Sequence, residues 1–332
     1  MGRKVQARSF LRLAVAGALL AACNNGGGTP DSGPAPDGGN GVDSGGSVTA
    51  PVLTPAMVTG GAADLACGGL ATEPAAGALV ATTMSLESFG EHGDKAPNTR
   101  LCFCPDNVIP AEALAGTGCG SCQDVMSDAT GQVSVMARAG GWYAYRVFAH
   151  TGTTMGTTFL DSIQVNEPAP AAAGGTVTGN AVSQLIALTI SEAQLITRDP
   201  TKSTVAGRIM DCDGNDISGA IVRMFRADGS EIIEVDHDAA TGVHYRYFNG
   251  DESPDASATA TAADGLYVGL NVTPNSMGET IRVEAWAYTG TDAMGESHRI
   301  GCEAVQLFAN GVSIVNIGPE RSDYAAGHPC AD

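Results

Sequence analysis

The chain of 332 residues is strongly acidic, with 36 Asp and Glu against 17 Lys and Arg and a formal net charge of −19. A surface of this sign repels the phosphates of nucleic acids, so nucleic-acid binding is not expected. The length suits two domains, each large enough to bury its own core.

The first 22 residues have the layout of a secretory leader. Four basic residues precede a short apolar run, residues 13–20, which cannot span a bilayer as a helix. The run ends in Leu20-Ala21-Ala22-Cys23, and the segment resembles a bacterial lipoprotein signal peptide. That resemblance implies cleavage before Cys23, lipid on its thiol and an acyl chain on its new amino group. The alternative is an ordinary cleaved signal with a chance cysteine.

The mature chain would carry a net charge of −23, because the leader holds four basic residues and no acidic ones. Such a body is repelled by anionic lipid, so the membrane partner is reached through the lipid on Cys23. Asn24, in place of Asp, indicates outer-membrane sorting by the rule known for enteric bacteria.

Residues 23–50 are predicted to form a flexible tether, because they contain almost no large apolar side chain. A Gly-rich coil of this length holds the body roughly 30 Å from the anchor. The repeated Asp-x-Gly pattern in the tether leaves weak calcium binding as an alternative, although a solvated spacer is favoured.

Beyond residue 50, short alternating apolar segments are separated by Gly, Asn, Asp and Pro, which indicates strands and turns. The segment 280–287 alternates most regularly. Residues 182–196 can form either a strand or one short helix, and we favour the strand because of their β-branched residues. We predict an all-β fold of two Ig/transthyretin-like β-sandwich domains in tandem, 51–172 and 173–332. The clearest predicted strands are 204–210, 220–225, 266–272, 280–287 and 312–317.

An internal similarity supports two domains. Residues 128–156 and 262–295 share a turn with Asp and Gly, a strand, a loop and a strand with Arg-Val-x-Ala, and Asp and Arg lie 18 residues apart in both. Two diverged copies of one sandwich unit is the simplest interpretation, with chance similarity as the alternative.

The second copy resembles a known family. Val205-x-Gly207-x-Ile209, the Asp213-Gly214-Asn215 turn, Gly219-Ala220-x-Val222 and Asp264-Gly265-x-Tyr267 are similar to carboxypeptidase regulatory-like domains, which are transthyretin-type sandwiches. The resemblance implies an accessory structural or binding module with no active site.

The Gly-x-Ile-x-Asp-x-Asp-Gly pattern at the start of this second copy also occurs in intradiol ring-cleavage dioxygenases, which hold ferric iron with two tyrosines and two histidines. By that resemblance Tyr245 and Tyr247 are candidate ligands. However, Arg282-Val283-Glu284 stands where a His-x-His pair is expected, and His298 has no partner histidine on that strand. An iron enzyme is therefore kept only as an alternative.

The cysteines after Cys23 are even in number, which predicts up to four disulfides in an oxidising compartment, with the pairing left open. Five precede residue 170 and three follow it, so full pairing requires one bridge between the halves. A four-thiolate zinc site at the Cys-x-Cys and Cys-x-x-Cys motifs is the less favoured alternative. The eight candidates are Cys67, Cys102, Cys104, Cys119, Cys122, Cys212, Cys302 and Cys330.

Two acidic clusters could hold metal ions, but each has a structural interpretation that we favour. Asp211, Asp213, Asn215 and Asp216 crowd a short turn, and such residues form hairpin turns more often than calcium sites. Asp236-His237-Asp238 with His244 lies in a long insertion, where a solvated loop is expected.

No motif for nucleophilic catalysis, zinc hydrolysis or phosphate binding is found. The sequence therefore predicts a lipid-anchored cell-envelope protein with a binding or structural role, no catalytic activity and no cofactor. Its expected partners are the membrane and an envelope protein or glycan. Exposure of Trp142 and Trp286 would favour binding over a passive spacer.

Overall fold

A computed structural model describes residues 56–58, 61–89, 94–151, 158–236, 239–276, 278–288 and 297–331. The predicted leader 1–22, the tether 23–50 and the lipidation site Cys23 lie outside these ranges.

The first part of the chain is made of strands and one short helix. The elements are β1 Met57–Val58, β2 Gly61–Ala62, β3 Leu79–Phe89, β4 Arg100–Cys104, α1 Ala111–Ala115, β5 Gln123–Met126, β6 Gln132–Arg138, β7 Trp142–Val147, β8 His150–Thr151, β9 Thr158–Phe159 and β10 Ser162–Pro168.

The second part adds nine strands and a longer helix. The elements are β11 Gly175–Val182, α2 Gln184–Ala193, β12 Ser203–Arg208, β13 Ile221–Phe225, β14 His244–Phe248, β15 Pro254–Asp255, β16 Leu266–Val272, β17 Glu279–Tyr288, β18 Ser297–Leu307 and β19 Val312–Val315.

One nine-stranded sheet runs through both parts of the chain, in the order β15-β14-β16-β12-β19-β10-β7-β4-β5. The two parts meet where β10 pairs in parallel with β19, in a register that sets Ser162 opposite Val312 and Val165 opposite Val315. Strands from both predicted domains thus share one sheet, while the boundary between 172 and 173 stays a prediction.

Two three-stranded sheets, β11-β3-β6 and β13-β17-β18, pack on opposite faces of the large sheet. The alternation along β4 separates the faces, because Leu101 and Phe103 pack in the core under β3 and β6 whereas Cys102 and Cys104 belong to the core under β17. Each small sheet buries its apolar side chains against the large one. This all-β arrangement of two sheet-on-sheet packings confirms the predicted fold class.

The five clearest predicted strands all form, as β12, β13, β16, β17 and β19. In β17 the alternating residues Ile281, Val283, Ala285 and Ala287 are completely buried, as a period of two requires.

The strand predicted over 182–196 is wrong, because most of this segment forms α2. Ser183 caps the helix, and its side chain accepts a hydrogen bond from the backbone N–H of Ile186 at 3.2 Å. Ile186, Ala187 and Ile190 then lie on one helical face against the large sheet. The cap and this spacing outweigh the β-branched residues.

The two similar segments occupy the sheets in opposite order. The first passes from β6 in a small sheet to β7 in the large sheet, and the second passes from β16 in the large sheet to β17 in a small sheet. Both join two layers, and their origin as copies of one unit stays a prediction.

Candidate functional site

Eight cysteines form four disulfides, so the predicted disulfide content is confirmed. The pairs are Cys67–Cys212, Cys102–Cys119, Cys104–Cys122 and Cys302–Cys330. The first joins the two halves, as the five-to-three split requires. The second and third join the Cys-x-Cys and Cys-x-x-Cys motifs to each other, so these sulfurs are bonded in pairs and are not a four-thiolate zinc site. Such bridges are typical of proteins outside the cytoplasm.

The segment 56–73, described apart from 59–60, is fastened to the body along its length. Its first residue, Ala56, donates a backbone hydrogen bond to Tyr288 at 2.8 Å, and Met57 exchanges two backbone bonds with Ser218. The bridge from Cys67 follows, and the Glu73 N–H then donates to the carboxylate of Asp323 at 2.7 Å. The chain is therefore fixed to the body from residue 56 onward, six residues beyond the last residue of the predicted tether.

The acidic turn at 211–216 is held together by hydrogen bonds to Asp211. The buried carboxylate of Asp211 accepts backbone N–H bonds from Asp213 and Asn215 at 3.0 and 2.8 Å, and from Asp64 at 3.2 Å. An aspartate that binds N–H groups two and four residues ahead closes a turn. The second cluster is described only in part, because His237 and Asp238 lie outside the described residues.

His244 of that cluster is completely buried and belongs to a different group. Its Nδ1 lies 3.0 Å from a guanidinium nitrogen of Arg246, and its Nε2 lies 3.3 Å from the carbonyl oxygen of Thr241. Glu234 forms an ion pair with the same guanidinium. Burial and the nearby Arg246 cation lower the pKa of His244.

Tyr245 and Tyr247, the candidate iron ligands, hydrogen-bond to the backbone. The Tyr245 hydroxyl donates to the carbonyl of Ile232, and the Tyr247 hydroxyl accepts from the N–H of Val222 at 3.0 Å. Burial raises the pKa of both phenols, which disfavours the tyrosinate form.

The side chains at the positions where the iron enzymes carry histidines face away from the two tyrosines. Val283 faces the core that contains Tyr247, so its neighbours Arg282 and Glu284 lie on the opposite side of β17, where they form an ion pair at 2.9 Å. The two tyrosines and the Arg-Val-Glu positions therefore do not converge.

The two tryptophans are half-buried and each lies under an arginine. The guanidinium carbon of Arg321 is 5.0 Å from the ring centroid of Trp142, and that of Arg223 is 5.0 Å from the ring of Trp286. Cation–π contacts of this kind occupy one face of each ring. Neither ring is a freely exposed platform for sugars.

A narrow apolar cavity of about 70 Å³ lies between α2 and the large sheet. Ile186 and Ala187 of α2 form one wall, and the facing wall comes from β12, β16 and β19. Small-molecule sites are usually lined by apolar side chains with a few polar groups, as this cavity is, but they are larger, at ~300–1,000 Å³. The facing side chains are Ala206, Val268, Leu270, Val312 and Ile314.

One end of the cavity carries charged groups. The guanidinium of Arg208 donates to Asp216 and to Glu252, each at 2.8 Å. The backbone N–H of Glu252 donates in turn to Asp264 at 3.1 Å, and burial raises the pKa of the Asp264 carboxyl to about 6. Among the described residues, the buried Oε2 atom of Glu252 has no hydrogen-bond partner.

The other polar lining is neutral and hydrogen-bonded. The side-chain amide of Gln164 donates to Glu167 at 2.5 Å, and that of Asn316 donates to the same carboxyl at 3.2 Å. The Tyr145 hydroxyl donates to Gln164 at 2.5 Å. Burial raises the pKa of Glu167 to about 7, so this carboxyl keeps its proton to higher pH than an exposed glutamate.

Sequence reasoning missed this cavity. The sequence does carry a signal for α2. Ser183 is a typical N-cap residue, and the apolar residues Ile186, Ala187 and Ile190 follow it at helical spacing. No local pattern relates Arg208 to Glu252, since they are 44 residues apart and meet only through tertiary structure.

A second cleft of about 560 Å³ is lined by Arg198, Asp199 and Lys202 on one side and by Val235 and Gly242 on the other. The Arg198 guanidinium donates to the side chain of Asn310 at 2.9 Å. Residues 237–238, which lie between Val235 and Gly242 in the chain, are outside the described ranges.

The described part of the chain contains no membrane-spanning helix and no cluster of metal ligands. No helix there is both long and apolar enough to cross a bilayer. In the same ranges, no three His, Cys, Asp or Glu side chains converge as a set of metal ligands.

No protein-family model and no curated protein matches the chain. Among solved structures it is similar to the Bacillus anthracis TIE protein, at 10% identity and a TM-score of 0.21, over 73% of this chain and 34% of that one. The shaft pilin SpaA from Lactobacillus rhamnosus GG is matched at 14% identity and a TM-score of 0.21, over 73% and 98%. The minor pilin GBS52 from Streptococcus agalactiae is matched at 9% and 0.18, over 74% and 98%.

The chain therefore spans about a third of the length of the first of these proteins. Identities and TM-scores this low do not relate the chains in function.

Proposed function

We propose that this chain is a lipid-anchored, non-catalytic protein of the cell envelope, whose disulfide-braced β-sandwich body binds a small ligand or an envelope partner. The observation that carries the proposal is the fastening of residues 56–73 to the body by the Cys67–Cys212 bridge and by backbone hydrogen bonds. A protein held by its N-terminus needs a secure joint between tether and body, and this segment provides one.

The anchor in this proposal is Cys23. Two or three acyl chains hold a protein stably in a membrane, whereas a single chain binds reversibly. The four disulfides support an address outside the cytoplasm, where such lipidation takes place. Sorting to the outer membrane, inferred from Asn24, belongs to the same proposal.

The absence of catalysis is proposed on the surroundings of Tyr245 and Tyr247. Their hydroxyls are bound to backbone groups and burial raises their pKa, which supports a packing role. The similarity of 204–267 to carboxypeptidase regulatory-like domains, usually accessory modules, agrees with this role. The cavity under α2 favours binding over a passive spacer, since a spacer needs no cavity.

The anchor is tested by expressing the full chain in a Gram-negative host and measuring the mass of its N-terminal peptide. We expect an acylated peptide that begins at Cys23 and a protein retained in the membrane fraction. Cys23→Ser should release the protein, whereas the matched control Asn24→Asp should keep the lipid and change only the membrane that holds it. An unmodified Cys23 in a soluble wild-type protein would disprove the anchor.

A further inference from the structure

We propose that the cavity under α2 binds a short alkyl group of about three to four carbon atoms that carries a primary ammonium. The inference rests on the binding role proposed above and specifies its ligand, but it does not depend on the anchor at Cys23. Size, lining and charge each contribute a separate argument.

The volume limits the size of the apolar part. A dry cavity of about 150 Å³ holds a benzene molecule, so the about 70 Å³ available here suits about half as many carbon atoms. The walls are the side chains of α2, β12, β16 and β19, which attract alkyl groups by burial and by close packing. A long acyl chain does not fit unless α2 moves away.

The charged groups at one end of the cavity select the head group. Arg208 and Glu252 line this end, Arg208 also pairs with Asp216, and the N–H of Glu252 binds the carboxylate of Asp264, so one guanidinium accompanies three carboxyl groups. The excess of carboxyl groups attracts a cation and repels a carboxylate or phosphate. The mature chain as a whole is acidic, but this excess lies next to two residues that line an apolar cavity, Arg208 and Glu252.

One atom is placed to accept the ammonium. Glu252 uses Oε1 for its bond to Arg208, while its buried Oε2 has no hydrogen-bond partner among the described residues. A buried acceptor without a donor is unfavourable, and a ligand N–H would supply the missing bond. A primary ammonium has three donors, so it can bind Oε2 and keep contact with water.

The test uses the full chain with Cys23→Ser, which keeps every described residue, so its result is independent of lipidation. Titration with n-butylammonium, followed by ligand-observed NMR, should give saturable binding at millimolar concentration. Butyrate has the same chain and the opposite charge, and it should bind at least about tenfold more weakly. Equal binding of butyrate, or no saturable binding of butylammonium, would overturn the proposal.

An acidic protein also attracts cations to its surface, so variants must locate the site. Ala187→Leu fills the cavity without changing the net charge and should abolish saturable binding. Leu185→Ala, on the exposed side of α2, is the matched control and should leave it unchanged. Binding that persists in a folded Ala187→Leu protein would show that the ligand sits elsewhere.

A second variant keeps the test decisive if Ala187→Leu does not fold. Glu252→Gln retains the size of the side chain and its contact with Arg208, and it should weaken butylammonium binding about tenfold while leaving 1-butanol binding within a factor of about two. An equal loss for both ligands would contradict the assignment of the ammonium to Glu252.

Discussion

The bridge between Cys67 and Cys212 should be the most stabilising of the four. It closes a loop of 145 residues, whereas Cys302–Cys330 closes one of 28. In the chain-entropy account, such loops correspond to about 5 and about 3.5 kcal/mol of unfolding free energy, respectively. Its loss also removes the 3.0 Å contact from the Cys67 N–H to the Cys212 sulfur.

The prediction is tested with two double variants, each of which loses one bridge and two sulfur atoms. Cys67→Ala with Cys212→Ala should lower the unfolding free energy by about 1.5 kcal/mol more than Cys302→Ala with Cys330→Ala. Guanidinium unfolding without reductant measures both. An equal or larger loss in the 302/330 variant would refute the reasoning from loop length.

The location of the effect provides a further check. Removal of the Cys67–Cys212 bridge should speed amide hydrogen exchange in the segment 61–73, because the remaining attachments there are non-covalent: hydrogen bonds, an ion pair of Glu73 with Arg321 at 3.5 Å and the partial burial of Leu65. Exchange within α2 should stay unchanged, since the helix has its own contacts with the large sheet. Faster exchange across the whole body would indicate global destabilisation instead.

Three further substitutions test other parts of the body. Burial raises the pKa of Glu167 to about 7, so this carboxyl binds its proton more tightly in the folded chain than in the unfolded chain. The stability that it contributes is present at low pH and is lost as the pH rises through about 7. In thermal melts between about pH 5 and 8, Glu167→Gln should flatten part of this fall in stability, whereas the exposed control Glu192→Gln should not. A Cβ at Gly207 would lie 1.8 Å from a carbonyl oxygen of β19, so Gly207→Ala should prevent folding, as measured by circular dichroism. Gly318→Ala should be tolerated, because a Cβ there would meet only open space. Ser183→Ala should cost about 1 kcal/mol in urea unfolding, and no loss would mean that its cap contributes nothing to α2.

Strands and disulfides could be predicted because each rests on a local or countable property. In β17, the apolar residues Ile281, Val283, Ala285 and Ala287 occupy every second position, which indicates a strand, and the structure has that strand. The even number of cysteines indicated bridges, but their pairing depends on which strands become neighbours. The Cys-x-Cys and Cys-x-x-Cys motifs pair because β4 places both sulfurs of Cys102 and Cys104 on one face.

Helix α2 could not be assigned correctly from composition, because its β-branched residues suit a strand. Its form depends on the cap at Ser183 and on a flat apolar surface, made by β12, β16 and β19, for Ile186 and Ala187 to cover. That surface exists only after strands distant in the chain have paired. The cap and the helical spacing were present in the sequence, and the tertiary contacts gave the apolar face of the helix a surface to cover.

The sequence by itself determined the all-β class, the acidic charge and the even cysteine count after Cys23, because alternation and composition follow from the order of residues alone. Only the tertiary structure decided that β10 pairs in parallel with β19 and so forms one sheet from both parts of the chain. The same folding brought Arg208 and Glu252, 44 residues apart in the chain, together in the lining of the cavity. Contacts between distant residues depend on the packing of whole sheets, which no local pattern encodes.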